Sequence, residues 1–187
     1  QKRYIELEGD SKKIYDRLRT SALAIVEDST ISFSNKLTEI IKLHQVCNGF
    51  TKNDDGEIMQ LHTQKLKALE EILEETDGKV IIWANYIYNI KELIKFLEDK
   101  YGKESVVSIY GDIDVQKRKE AVQKIQTNDK VRFLVGNPTT GGFGLTLTAV
   151  NTVIYFSNNY NLEVRKQSED RAHRMGQKGT VVYIDIV

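Results

Sequence analysis

KVIIWANYIYNIKELIKFLEDKYGKESVVSIYG, residues 79–111, reads as a strand, a helix and a second strand. KVIIWA (79–84) and SVVSIY (105–110) are short, nearly continuous apolar runs rich in β-branched residues, the pattern of strands buried on both faces. Between them Ile90, Leu93, Leu97 and Tyr101 recur at helical spacing, so one side of the intervening helix can cover a sheet. A crossover helix returns the chain to the same end of the sheet, and the two strands are therefore expected to run parallel.

The same alternation continues on both sides. VRFLVG (131–136), TVIYFS (152–157) and VVYIDIV (181–187) are further apolar runs. Helical patterns lie before the first strand (Leu66, Leu69, Leu73), after the second (Val115, Val122, Ile125) and from about Leu162. The expected fold is α/β, a parallel sheet of about five or more strands with helices on both faces. Upstream the pattern is helical alone: Ile14, Leu18, Ala22 and Ile25, with Asp10 and Ser11 as caps, then Phe33, Leu37, Ile40 and Ile41, ending at Asn48-Gly49. The polar stretch TKNDDGE (51–57) separates the two patterns, which places a short helical segment at 1–57 and the main domain at 58–187. Because the chain begins with Gln and VVYIDIV breaks off inside an apolar run, it reads as a piece of a longer polypeptide.

Of the 187 residues, 40% are hydrophobic, enough for one fair-sized core. Basic and acidic residues number 27 each, so no broad field draws the chain to nucleic acid and any such contact must be local. No apolar run approaches the roughly 20 residues that cross a bilayer, which argues against a membrane protein. Cys47 has no cysteine to pair with, and the three histidines lie far apart, so no metal centre is expected.

Ligands of open α/β sheets bind beyond the carboxyl ends of the strands, and the informative segments lie there. NPTTGGFGLTLT (137–148) combines three glycines and four threonines at a strand exit; it can cradle a phosphate with backbone N–H groups or be a tight turn. Leu147 stands where a dinucleotide fingerprint needs its third glycine, which disfavours a nicotinamide or flavin site. In QSEDRAHRMGQ (167–177), Gln167, Arg171 and Arg174 share one helical face, a concentration of donors suited to phosphate oxygens. GDIDV (111–115) carries the two aspartates of the D-x-D-x-[TV] pattern of magnesium phosphatases, with Asp112 as nucleophile and Asp114 as acid/base; the alternative is a turn with Asp114 capping the next helix. Neither a G-x-x-x-x-G-K-[ST] loop nor an acidic pair after a hydrophobic strand is present, so nucleotide hydrolysis would need parts from elsewhere.

Taken together, these segments resemble the C-terminal RecA-like lobe of superfamily-two helicases, in particular the Swi/Snf-type DNA-dependent ATPases. QSEDRAHRMGQ is similar to that family's motif VI, Q-A-x-D-R-A-H-R-I-G-Q, and TTGGFGLTLTAVNTVI to its motif V. KVIIWANY resembles the motif IV strand, YGDIDVQKRKEAVQKIQ the segment after it, and KLHQVCNGF (42–50) the family's L-R-Q-I-C-N-H-P. The resemblance implies a RecA-like fold and half of an ATP-driven translocase on double-stranded DNA. It implies Arg171 and Arg174 as arginine fingers, Gln167, Gly142 and Gly144 as nucleotide-facing residues, and Thr140, Thr139 and Asn85 on the DNA backbone.

ATP and Mg2+ would then be held by the complete two-lobe enzyme, neither tightly by this lobe alone, and the isolated lobe would be inactive. The implied partners are the N-terminal RecA-like lobe of the same polypeptide, double-stranded DNA and a protein substrate on that DNA. The implied location is the cytoplasm of a bacterial or phage-infected cell, or the nucleus in a eukaryote. SNNYNLEVRKQ (157–167), where the family commonly has an aspartate-tryptophan-asparagine-proline run, resembles compact bacterial or phage members more than large remodellers. Thr139 and Thr146 depart from the family's common arginine and asparagine. A non-enzymatic nucleic-acid-binding module of the same fold is the remaining alternative.

Overall fold

A computed structural model describes residues 1–27, 33–53, 55–140, 146–173, 176–177 and 179–187, with backbone alone for 24–27 and 33–35. In chain order the elements are β1 (Lys2–Arg3), α1 (Gly9–Glu27), α2 (Phe33–Cys47), β2 (Phe50–Lys52), β3 (Ile58–Gln60), α3 (Lys65–Glu74), β4 (Lys79–Trp83), α4 (Ile87–Tyr101), β5 (Val106–Ile109), α5 (Val115–Thr127), β6 (Phe133–Gly136), β7 (Val150–Tyr155), α6 (Leu162–Ala172) and β8 (Val182–Ile186). The chain divides into two compact units, Ile5–Lys67 and the remainder.

The larger unit holds a sheet of six strands in the order β1-β8-β7-β4-β6-β5, every neighbouring pair parallel. The five apolar runs became its five longer strands, and β1, two residues beside β8, completes it. The pleat sends alternate residues to opposite faces. On one face Ile81 and Trp83 of β4, Leu134 of β6 and Val153 and Tyr155 of β7 form a buried cluster with Ala121 and Ile125 of α5 and Ala172 of α6. Their neighbours Val80, Ile82, Phe133, Val135 and Ile154 are equally buried. On that second side the Tyr101 ring of α4 lies 4.8 Å from the Phe133 ring, and Ile90, Leu93 and Leu97 of α4 are buried. This is the RecA-like α/β architecture that the motifs imply.

The path of the chain sets up the functional end. From β4 it passes through α4, β5 and α5 to β6, which enters between β4 and β5; β7 and β8 then add on the other side of β4. The exits of β6 and β7 therefore flank that of β4, which is where such sheets bind ligands.

In the unit Ile5–Lys67, α1 and α2 are followed by the hairpin β2–β3, in which Phe50 pairs with Gln60 and Lys52 with Ile58. Between the two strands the Glu57 N–H donates to Asn53 Oδ1 at 2.8 Å. Gly49 ends α2 at φ +80, a conformation that favours glycine, and a Cβ there would meet Thr63 Cγ2 at 2.6 Å. Beneath it Lys65, 5% exposed, donates its ammonium proton to Asn48 Oδ1 at 2.9 Å, and Asn48 Nδ2 donates to the His44 carbonyl at 2.7 Å. Burial, with the Lys65 charge added, pushes the His44 imidazole down to about 4. Burial likewise lowers Lys65 to about 8, against the opposing pull of Cys47, whose thiol burial raises.

Candidate functional site

Parallel pairing places Trp83 of β4 opposite Gly136 of β6 and Tyr155 of β7, so the segments that follow these residues emerge together. Gly136 is what lets β5 approach: a Cβ there would come within 2.6 Å of Ile109 Cγ1 and closer still to the Ile109 carbonyl oxygen. Next to it, the Asn137 N–H donates to that carbonyl at 3.1 Å. The Asn137 amide then does two things. Its Nδ2 donates to the Asn85 carbonyl at 2.9 Å, and its Oδ1 accepts the Thr139 N–H at 2.8 Å, which turns the chain away from the sheet. From the other side Ser157 Oγ accepts the Asn85 N–H at 2.8 Å. Asn85 is thus held through its backbone by side chains from both neighbouring strand exits. Thr139 is exposed, Thr140 half-buried and Pro138 buried.

Gly142 and Gly144 lie outside the described residues, but the segment that follows them is firmly attached. Gln126 of α5 accepts the Ala149 N–H at 2.9 Å and donates to the Thr146 carbonyl. The Leu147 N–H donates to the Arg171 carbonyl at 2.9 Å, and Gln177 Nε2 donates to the carbonyls of Val150 at 2.8 Å and Ala172 at 3.2 Å. The exit of the glycine loop and the end of α6 are therefore adjacent.

Helix α6 begins at Asn161, whose Oδ1 accepts the N–H groups of Glu163 and Val164 at 2.9 and 3.3 Å. Gln167 is half-buried and its Nε2 donates to Glu163 Oε1 at 3.0 Å. Arg171, 8% exposed, lies in the last turn of the helix, and Arg174 lies outside the described residues. The spacing that groups Gln167, Arg171 and Arg174 gives no prominence to Arg165, yet Arg165 carries a dense network at this end. Its guanidinium lies 3.5 Å over the Tyr155 ring, and its Nε donates to Glu169 Oε1 at 2.6 Å. Nη1 donates to Asn158 Oδ1 at 2.8 Å and to Asp185 Oδ1, while Nη2 donates to Asp185 Oδ2 at 3.2 Å. Although burial alone would raise the Asp185 carboxyl, the bonds from Arg165 and Asn158 hold it below the usual range. Only the i, i+4 spacing of Arg165 and Glu169 announces any of this in sequence.

Asp114 Oδ1 accepts the Gln116 N–H at 2.8 Å, so this carboxylate caps α5. The turn that carries both aspartates is pinned by Arg118, whose Nε donates to the Ile113 carbonyl at 2.7 Å and whose Nη2 donates to that of Gly111 at 3.0 Å. The exits of β6 and β7 offer Asn137, Asn158 and Asn159 where a phosphatase needs a lysine and acids. Among the described residues no group of three or more His, Cys, Asp or Glu could hold a metal ion, and none of the helices is long and apolar enough to cross a membrane.

Residues 64–176 match the family model "Helicase conserved C-terminal domain". An uncharacterised ATP-dependent helicase of Mycoplasma pneumoniae is 31% identical over 189 residues, which cover 98% of this chain and 18% of the relative. The chain thus spans less than a fifth of the length of that protein. Among solved structures, the C-terminal part of the Fun30 ATPase domain superposes with a TM-score of 0.79 at 19% identity, covering 100% of this chain and 84% of the other. The SWI2/SNF2 ATPase core of Sulfolobus solfataricus, solved with double-stranded DNA, gives a TM-score of 0.79 at 24% identity, covering 100% and 40%.

Proposed function

The chain belongs to the helicase conserved C-terminal domain family, and from that premise we propose that it is the second motor lobe of a DNA-dependent ATPase of the Swi/Snf type. In this reading the chain supplies arginine fingers and part of a DNA-backbone track, and an N-terminal lobe supplies the phosphate loop and the magnesium ligands. The observation that carries it is the bond from the Leu147 N–H to the Arg171 carbonyl, 2.9 Å, which joins the exit of the glycine loop to the arginine-bearing helix. A nucleotide-contacting helix and a loop that senses DNA need a physical connection, and a shared backbone bond offers one.

ATP would meet this lobe through Gln167, Arg171 and Arg174, with Gly142 and Gly144 shaping the adjoining loop. Arginine keeps its charge in a closing cleft and offers paired donors to the charge that develops on a transferred phosphoryl group. Magnesium would arrive with the nucleotide and neutralise its phosphates. Thr139, Thr140 and Asn85, set at neighbouring strand exits, would hold phosphates of the duplex without reading bases. Closure around ATP and reopening after hydrolysis would then move one lobe along the strand. Alone, the lobe would hydrolyse almost nothing.

The test is DNA-stimulated ATP hydrolysis by the full-length polypeptide. Arg174→Ala should lose roughly 10²-fold in kcat, the typical cost of removing a donor to the transition state. Arg171→Ala should also lose activity, part of it through lost stability, because Arg171 is enclosed by its own lobe. Asp112→Ala should keep most activity. Hydrolysis of a simple phosphoester by the 187-residue chain alone, abolished by Asp112→Ala, would replace this reading with the phosphatase. Full ATPase activity in both arginine variants would leave a non-enzymatic module.

A further inference from the structure

Helix α6 has little apolar grip on the sheet. Its buried residues are Ser168, Arg171 and Ala172, whereas α4 buries Ile90, Leu93 and Leu97. Hydrophobic packing alone therefore sets the rotation of α6 about its axis only weakly. Polar bonds along one stripe hold it instead, at Arg165, Ser168 and Glu169, the i, i+3 and i+4 positions, with Ala172 at i+7 as the apolar member of the same stripe. Ser168 Oγ is 2.6 Å from the Tyr155 hydroxyl, the Tyr183 hydroxyl donates to the Glu169 carbonyl at 3.0 Å, and Ala172 enters the core cluster. Arg165 is the hub of this stripe, because one guanidinium reaches Tyr155 of β7, Asn158 beyond it, Asp185 of β8 and Glu169 of α6 itself. Asn158 also closes the ring by donating to Asp185 Oδ1 at 2.8 Å.

We propose that Arg165 is a positioning residue: its fork onto Asp185 and its stack on Tyr155 fix the rotation of α6, and with it the direction in which Gln167 and Arg171 are presented. At about 100° per residue, Gln167 and Arg171 lie on the other half of the helix from Arg165, so a roll of α6 re-aims both. The side chains of Arg165 and Asp185 are 21% and 16% exposed, and an ion pair so enclosed repays its desolvation poorly. What the pair supplies is geometry, since a planar fork between two oxygens and a ring admits one orientation. The proposal rests on the reading of α6 as the nucleotide-facing helix.

The experiment compares Arg165→Met, Arg165→Lys and Asp185→Asn in the full-length ATPase, with DNA present. Two readouts are taken, the kcat and KM for ATP and the hydrogen exchange of the α6 amides. Arg165→Met should lower kcat roughly 10- to 100-fold with KM for ATP changed much less, as expected of misplaced rather than missing donors. Its α6 amides should exchange faster while those of β4 and β6 keep their protection. Arg165→Lys, which keeps the charge without the fork, and Asp185→Asn should fall between it and wild type, and they decide the matter if Arg165→Met does not fold. Unchanged α6 exchange, or unchanged kcat in the folded variants, overturns the proposal. Arg174→Ala separates the two failures. If it and Arg171→Ala both keep full activity, the nucleotide-facing reading falls and takes the anchor with it; if it is inactive while the Arg165 variants are not, the anchor alone falls.

Discussion

Gly136 closes β6 at the point where three strand exits meet, and its missing side chain lets the Ile109 backbone pack against it. A methyl group there has no flexible neighbour to displace, since the nearest atom is a carbonyl oxygen within the sheet. Gly136→Ala should destabilise the protein by about 1–3 kcal/mol, the usual cost of overpacking, read as a lower urea midpoint with an unchanged slope. An unchanged midpoint would mean that β5 yields freely. Composition makes such a glycine visible, but not its reason: within VRFLVG it reads equally as the end of a strand. Asp114 is the opposite case, because the sequence offers both of its roles, cap and catalytic acid, and the 2.8 Å bond from the Gln116 N–H realises the cap. Arg165 was hidden for a third reason. Glu169 is four residues away, but Asp185 and Tyr155 reach it only through the pairing of β7 with β8.

The buried strands were legible because burial on both faces demands nearly continuous apolar runs, and these are short, β-branched and set between helical patterns. Short pieces carry no such demand: β1 has two residues, and β2 and β3 have three each, too few for a period to show. For that reason the hairpin in which Thr51 and Lys52 pair with Met59 and Ile58 leaves no pattern in the polar stretch 51–57. The helical unit around that hairpin holds two bases that burial makes poor proton binders, and this has a consequence for pH. His44 is lowered from 6.5 to about 4, so between those values the unfolded chain holds the extra proton and stability rises with pH. The contribution is complete above 6.5 and is lost as the pH falls toward 4. Lys65, lowered from 10.5 to about 8, acts with the same sign in its own window, adding stability as the pH climbs from 8 to 10.5. Each group contributes at most about 1.4 kcal/mol per pH unit. Urea midpoints should therefore rise across both windows, and His44→Gln should flatten the acidic one. A curve as steep in His44→Gln as in wild type would assign the acid limb to carboxylates alone.

With 27 basic and 27 acidic residues the chain as a whole exerts no net pull on DNA, and this bears on how a motor built with it should respond to salt. Binding of the complete enzyme to duplex should weaken steeply with salt, because lysines and arginines displace condensed counterions from the phosphates they neutralise. The residues assigned to the track here, Thr139, Thr140 and Asn85, are neutral donors and displace none. Removing one should therefore lower affinity while leaving the salt slope as it was, which separates them from cationic contacts. Thr139 is the cleanest choice, since its side chain is exposed and its backbone N–H keeps its bond to Asn137 Oδ1 in an alanine variant. Thr139→Ala should weaken duplex binding roughly 2- to 10-fold, the worth of one neutral hydrogen bond, by an equal factor for unrelated sequences. Folding stability should stay within about 0.5 kcal/mol of wild type. Titrations of labelled duplexes at several salt concentrations would check this: parallel lines of log affinity against log salt place Thr139 on a phosphate. A changed slope would mean that the substitution has shifted a cation elsewhere, and a loss confined to some sequences would mean that this strand exit reads bases.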